Sequence, residues 1–275
     1  MRKIRRTVTT LAVWFGTQVL ISLIGVIAAM IKGEAVTSIL APALLISDFI
    51  VIVVLLIMRY CRFKELFKTV PADLFLISVV MGMCAMFAVD LLSQPIQLPN
   101  ILEDQFQIMT QSWSGFLGMC IIGPIMEEMM MRRVILKEMR KLTHSMWWGI
   151  IISAAIFSVI HVNPIQVVFA MPAGIVLGWL YCKTGSLLVP ICIHILNNSI
   201  SFITMRIGSD SEIELASPLG MLLLTATILV TVGTTIWLVR YFARSNQADD
   251  IQKEPVAQSE QTGSKGAFSG NNYEK

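Results

Sequence analysis

Charge is scarce in this chain. Asp, Glu, Lys and Arg make up 14% of its 275 residues, where a soluble domain carries about 25%, so a free-standing soluble enzyme is excluded. The net charge of +3 is too small to suggest a nucleic-acid partner. The five cysteines (Cys61, Cys84, Cys120, Cys182 and Cys192) show no CxxC spacing. That removes both a disulfide framework and a cysteine-rich zinc site. There is no HExxH segment and therefore no zincin signature. Strict apolar/polar alternation is missing too, which removes a membrane β-barrel. No internal repeat is visible, which disfavours a transporter built from duplicated halves.

What the chain has instead is long apolar runs. It is 55% hydrophobic with a mean hydropathy of +0.72, the composition of an integral membrane protein. A basic cluster (Arg2, Lys3, Arg5, Arg6) precedes an apolar run longer than a signal-peptide core, so it reads as an uncleaved first helix. At about 20 residues per crossing, the fold class expected is all-α, a polytopic helical bundle of about eight transmembrane helices. They fall near 8–31, 37–59, 72–93, 113–140, 145–162, 165–183, 186–206 and 217–242. Residues 1–112 are expected to form a three-helix segment with an outer loop, 113–243 a membrane core with the last helix, and 244–275 a polar tail that is disordered.

The loops alternate in charge. Basic residues gather at 2–6, 59–68, 132–141, Lys183, Arg240 and Arg244. The intervening loops hold Glu103, Asp104, Asp210, Glu212 and Glu214, with Lys32 and Arg206 as exceptions. The positive-inside rule then places both termini in the cytoplasm. The size and short loops suggest a bacterial plasma membrane.

Against this background the polar residues inside apolar runs stand out, because ionisable groups at membrane depth are costly unless paired or set in a wet cavity. Glu127 and Glu128 are followed by Arg132. Residues four apart share a helix face, so Glu128 and Arg132 are ion-pair partners, while Glu127 points elsewhere and is free to face a cavity. The alternative is that both glutamates pair with Arg132 and Arg133 at the cytoplasmic interface. His161 follows Phe157 by one turn, either as a packing residue or as a catalyst. His194 and Asn198 share a face: either an interhelical polar contact or two donors aimed at an oxyanion. Depth counting at 1.5 Å per residue puts Glu127 and His161 roughly 18–20 Å above the inner interface and His194 and Asn198 roughly 12–18 Å above it, so all four can meet. Asp48 is expected to pair with a polar group on a neighbouring helix, Asp90 to be solvated, and His144 to be incidental. Met126 and Met129–Met131 suit packing, or a yielding wall around a chamber.

The order E-E-x-x-x-R, F-x-x-x-H and H-x-x-x-N on successive helices resembles the CPBP family, the CAAX prenyl endopeptidases and bacteriocin-processing or self-immunity proteins also called Abi proteins. Pro124-Ile-Met-Glu-Glu-Met-Met-Met-Arg132 is similar to its first motif, and the run from Gly174 through Gly178 to Gly185 is also similar to its members. The likeness covers about 120–202. Met131 and Arg133 stand where the family often has Phe and Gly.

The resemblance implies an intramembrane endopeptidase of the glutamate type. Glu127 would activate a water, His161 would help position it, His194 and Asn198 would stabilise the oxyanion, and Glu128 and Arg132 would support the site. The implied partners are the bilayer and a peptide or membrane-protein substrate, lipidated or otherwise hydrophobic. No cofactor is expected. A zinc-dependent variant would use Glu127, His161 and His194 as ligands. A non-catalytic immunity or scaffold protein and a proton-coupled transporter are the rival classes.

Overall fold

The computed structural model describes residues 4–207 and 213–264, with side chains as far as 244. Arg2 and Lys3, Asp210 and Glu212, and the tail from 265 onward lie outside the described residues. Among the described residues all regular structure is helical. In chain order the main helices are α1 (Arg5–Lys32), α2 (Leu40–Ile57, entered through a 3-10 turn Val36–Ile39) and α3 (Ala72–Ser93). They continue with α4 (a composite over 113–143), α5 (Met146–Val159), α6 (Pro164–Thr184), α7 (Leu188–Ile207) and α8 (Pro218–Ser264). Six of these (α1, α2 with its 3-10 turn, α3, α6, α7 and the Pro218–Arg244 part of α8) are long and apolar enough to cross a membrane. The chain is a helical membrane bundle. The polar stretch after Arg244 continues α8 as far as Ser264 but is not part of its apolar span.

Two helices depart from a regular, full-length span. α4 alternates α-helical stretches (Trp113–Phe116, Gly123–Glu128, Lys137–Thr143) with wider π turns (Leu117–Ile122, Met129–Leu136). α5 stops at Val159 after 14 residues, although the apolar sequence runs on to Val162. At 1.5 Å per residue α5 spans about 21 Å, against a hydrocarbon core of about 30 Å. The turn joining α5 to α6 is therefore sunk below the level where the longer helices end.

Two apolar clusters hold the bundle. One joins α2, α4, α5 and α7 through Leu55, Met129, Met130, Ile135, Phe157 and Ile191. The other joins α3, α6, α7 and α8 through Met81, Leu177, Leu180, Ile193 and Leu238. α1 presents almost no buried residues in its apolar window, as expected of a helix lying against lipid.

The α5–α6 contact is made close by small residues, the usual device where helices pack without a hydrophobic driving force. A Cβ on Gly174 would come within 3.0 Å of Ala154 Cα and 3.3 Å of the Phe157 ring; one on Gly178 would meet Leu136 and Ile150 at 3.2 and 3.3 Å. Gly174→Leu is accordingly expected to lower stability by about 1–3 kcal/mol through overpacking. The readout is a lower thermal-unfolding midpoint of the purified protein in detergent.

Opposite charges tie one end of the bundle together. Arg133 donates from Nε to Glu65 Oε2 at 2.6 Å, and its Nη2 also reaches Glu65. Glu138 accepts from the backbone N–H groups of Thr7 and Arg6 at 2.6 and 3.2 Å, holding the start of α1 to the end of α4. Arg6, Tyr60, Arg133, Lys137 and Lys141 surround one hollow there, and Lys68, Arg140 and Tyr181 line a second. The basic segments read as cytoplasmic thus converge on one end.

Candidate active site

Glu128 is fully buried, and both its oxygens are engaged. Oε2 lies 2.9 Å from Arg132 Nε, and Oε1 is 3.0 Å from His194 Nδ1. The pairing expected one turn apart is therefore present even though a wide turn begins at Met129. The contact with Arg132 is an ion pair by distance, not a well-aligned hydrogen bond, and no protein group accepts from Arg132 Nη1 or Nη2 among the described residues. The guanidinium lies instead 5.0 Å over the Phe157 ring, a cation–π contact strengthened by desolvation. Arg133 belongs to Glu65, so the alternative in which both glutamates are neutralised by both arginines does not hold.

Glu127 is left facing space. Its side chain keeps 24% of its exposure, and the His194 ring lies beside it, with Nε2 3.5 Å from Oε2. A carboxylate accepts, so His194 donates from Nδ1 to Glu128 and turns Nε2 toward Glu127 and the cavity. One glutamate orients the imidazole, and the other shares its far side.

His161 stands in the turn after α5, not within the helix. Its Nδ1–H donates to the Phe157 carbonyl at 2.7 Å, which leaves Nε2 as the acceptor of the neutral ring. Phe157 holds both histidines edge-on, with ring centroids 4.9 Å from His161 and 5.9 Å from His194. It is a hub touching both histidines and Arg132. The turn itself is unusual: Val162, a β-branched residue, has φ +59°, a conformation costing about 1–2 kcal/mol. Asn163 next to it is wholly buried. It donates to Asn100 Oδ1 at 2.7 Å and accepts from the Ile101 N–H at 3.2 Å, which fastens the loop after α3 over the sunken turn.

Asn198 carries a second task. In the π turn Leu117–Ile122 the Gly123 N–H reaches back five residues to the Gly118 carbonyl. In that register the next carbonyl, that of Met119, would take the N–H of residue 124, but Pro124 has none. Asn198 Nδ2 supplies the missing donor at 2.9 Å and retains a second N–H. Asn198→Leu should leave a partly buried carbonyl without this partner and cost about 1–3 kcal/mol, readable as a lower unfolding midpoint in detergent.

These residues line one cavity of about 570 Å³. Glu127, His161, His194 and Asn198 share its wall with Asp48 and Asp90, while Glu128 and Arg132 lie behind it. Asp48 is buried, accepts from Gln18 Nε2 at 2.8 Å, and has Glu127 as its charged neighbour. Ser47 Oγ in turn donates to Gln18 Oε1 at 2.8 Å. The expected polar partner of Asp48 is thus on α1, and the residue belongs to the cavity, a placement its isolated position in the sequence did not signal. His144 lies in the turn between α4 and α5, away from the site. Met126 and Met129–Met131 are core residues and not chamber wall; Met86, Met119 and Met205 take that place.

Among the described residues no group of three or more His, Cys, Asp or Glu side chains is placed to hold a metal ion. His194 Nδ1 and His161 Nδ1 are both taken by protein acceptors, which leaves the Nε2 atom of each ring as its one open nitrogen.

Comparison with known proteins bears on the same segment. Residues 109–200 match the profile of the Rce1-like family, type II CAAX prenyl endopeptidases. Among curated proteins, "Putative membrane peptidase YdiL" of Bacillus subtilis (strain 168) is 30% identical over 79 residues, which is 29% of this chain and 32% of that protein. The similarity thus spans about a third of the relative's length. No solved structure matches significantly.

Proposed function

We propose, from the match of residues 109–200 to the Rce1-like family and the partial likeness to a putative membrane peptidase, that this chain is an intramembrane endopeptidase of a bacterial plasma membrane, acting on a hydrophobic or lipidated peptide segment by glutamate-activated water. The observation that carries the reading is the division of labour between adjacent carboxylates. Glu128 is saturated by Arg132 and His194, and Glu127 alone is left to face a cavity it shares with two histidines and an asparagine.

In this mechanism Glu127 takes a proton from a water as the water oxygen attacks the scissile carbonyl carbon. His161 Nε2, the free acceptor, helps hold that water. The carbonyl oxygen becomes an oxyanion. It accepts from the remaining N–H of Asn198 and, with the imidazole charged, from His194 Nε2–H. The C–N bond then breaks, and the proton held by Glu127 passes to the leaving amine. Glu128 and Arg132 do not touch the substrate; they fix the ring of His194. Bacteriocin processing or self-immunity would be one use of such an activity.

The test is quantitative profiling of protein N- and C-termini in membrane fractions from cells carrying wild type or Glu127→Gln at equal abundance. New termini seen with wild type alone are the expected result and would name the substrates. Identical profiles, with Glu127→Gln rescuing a deletion phenotype, would replace the enzyme with a non-catalytic immunity or scaffold protein.

A further inference from the structure

The cavity has a direction. Its deep end is formed by Glu127, His194 and Ala173. Its rim is formed by Gln94 and Ile96 beyond the end of α3, Leu102 and Phe106 at the start of the short helix Glu103–Met109 that follows, and Ser201 and Met205 near the end of α7. Gln94, Ile96, Ser201 and Met205 are exposed. Every one of these rim residues lies at the end of the bundle opposite the basic segments, because α3 and α7 both start at the basic end and finish here.

Toward the basic end the cavity is closed. Below Glu127 come Met129, Met130, Arg132, Ile135 and Leu136, each at most 1% exposed. The two hollows at the basic end share no lining residue with the cavity. The short α5 contributes to the same asymmetry, because its sunken turn places His161 beneath the rim, under a loop tied down by Asn163.

We infer that, if the site is the peptidase centre proposed above, its substrate arrives from the non-cytoplasmic side: the site serves an extended, largely apolar polypeptide segment exposed on, or emerging through, the outer face of the membrane. Two independent observations combine in this. The positive-inside rule assigns the basic end to the cytoplasm, and among the described residues the exposed lining of the cavity lies at the other end. An apolar segment suits the walls, where Phe106, Phe157, Phe169, Leu177 and Phe202 stand around the polar groups of the site. A tail still held in the cytoplasm, such as a freshly lipidated C-terminus, would have to pass the sealed layer around Arg132 to reach Glu127.

The inference is tested by thiol accessibility in intact cells. Ala170→Cys, on the cavity wall, and Lys141→Cys, at the basic end, are made singly in the otherwise native chain. Cells and inside-out vesicles are treated with a membrane-impermeant maleimide, and the modified residue is identified by peptide mass spectrometry, so the five native cysteines can remain. A second cavity variant, Ser201→Cys at the rim, covers the case in which Ala170→Cys fails to fold. The expected result is modification of the cavity cysteine in intact cells, with Lys141→Cys modified only in inside-out vesicles. Modification of the cavity cysteine only in inside-out vesicles overturns the inference, as does modification of Lys141→Cys in intact cells. So does a cavity cysteine unreactive from both sides.

This readout does not depend on catalysis. External labelling combined with unchanged termini in Glu127→Gln cells would leave the access path standing and remove the peptidase. Wild-type-specific termini combined with labelling from the cytoplasmic side would do the reverse.

Discussion

Glu127→Gln is expected to lower the turnover of a substrate found by terminal profiling by about 10²–10⁴-fold, the range associated with loss of a positioned general base, while leaving the unfolding midpoint almost unchanged. The amide keeps the shape of the carboxylate but cannot take a proton from water or return it to the leaving amine. Little stability should be lost, because among the described residues Glu127 makes no short hydrogen bond to the protein: His194 Nε2 lies 3.5 Å away, and the side chain is partly exposed in the cavity. The informative comparison is Glu128→Gln, one residue away. That substitution removes the counter-charge of a buried arginine and the acceptor of His194 Nδ1, so stability should fall together with activity. If Glu127→Gln lost stability as Glu128→Gln does, Glu127 would be a structural carboxylate and the division between the two glutamates would be wrong. If it kept full activity, the general base would have to be sought elsewhere in the cavity, with Asp48 the next carboxylate on its wall.

Much of this arrangement was legible in the sequence because membrane helices leave few options. A run of apolar residues must be helical to satisfy its backbone, so the main helices fall close to their expected places. Glu128 and Arg132 could be paired from spacing alone, since four residues on a helix make neighbours in either an α or a slightly widened turn. What could not be read depends on groups distant in the chain. The π turn before Gly123 arises where Pro124 withholds an N–H, and its orphan carbonyl is met by Asn198 from α7; no local pattern announces that partnership. The end of α5 is hidden in the sequence because Ile160 and Val162 continue the apolar run, whereas the backbone turns there under the hold of Asn163 on Asn100. A partner for Asp48 on a neighbouring helix is expected from its depth, but nothing near it in the chain identifies that partner as Gln18 on α1. The pairing of Arg133 with Glu65 likewise joins a loop to a helix across the basic end.

Arg132→Ala is expected to destabilise the protein by about 3–5 kcal/mol, the usual consequence of removing one member of a buried ion pair. The guanidinium is 1% exposed and Glu128 is wholly buried, so the substitution strands a carboxylate in the driest part of the bundle and also removes the contact over Phe157. The double variant Glu128→Met, Arg132→Met separates stability from chemistry. Replacing both charges by apolar side chains of similar volume removes the stranded ion and should recover most of the loss, since such exchanges are often neutral or stabilising. Activity should not return with it. His194 would then have lost the acceptor that fixes its Nδ1–H, leaving its ring free to rotate away from Glu127. A thermal-unfolding series in detergent, paired with turnover of the same preparations, reads both effects. Recovery of stability without activity identifies Glu128 as a positioning residue acting through His194. Recovery of both would mean that the buried pair serves folding alone, and that the orientation of His194 is secured by its packing against Phe157.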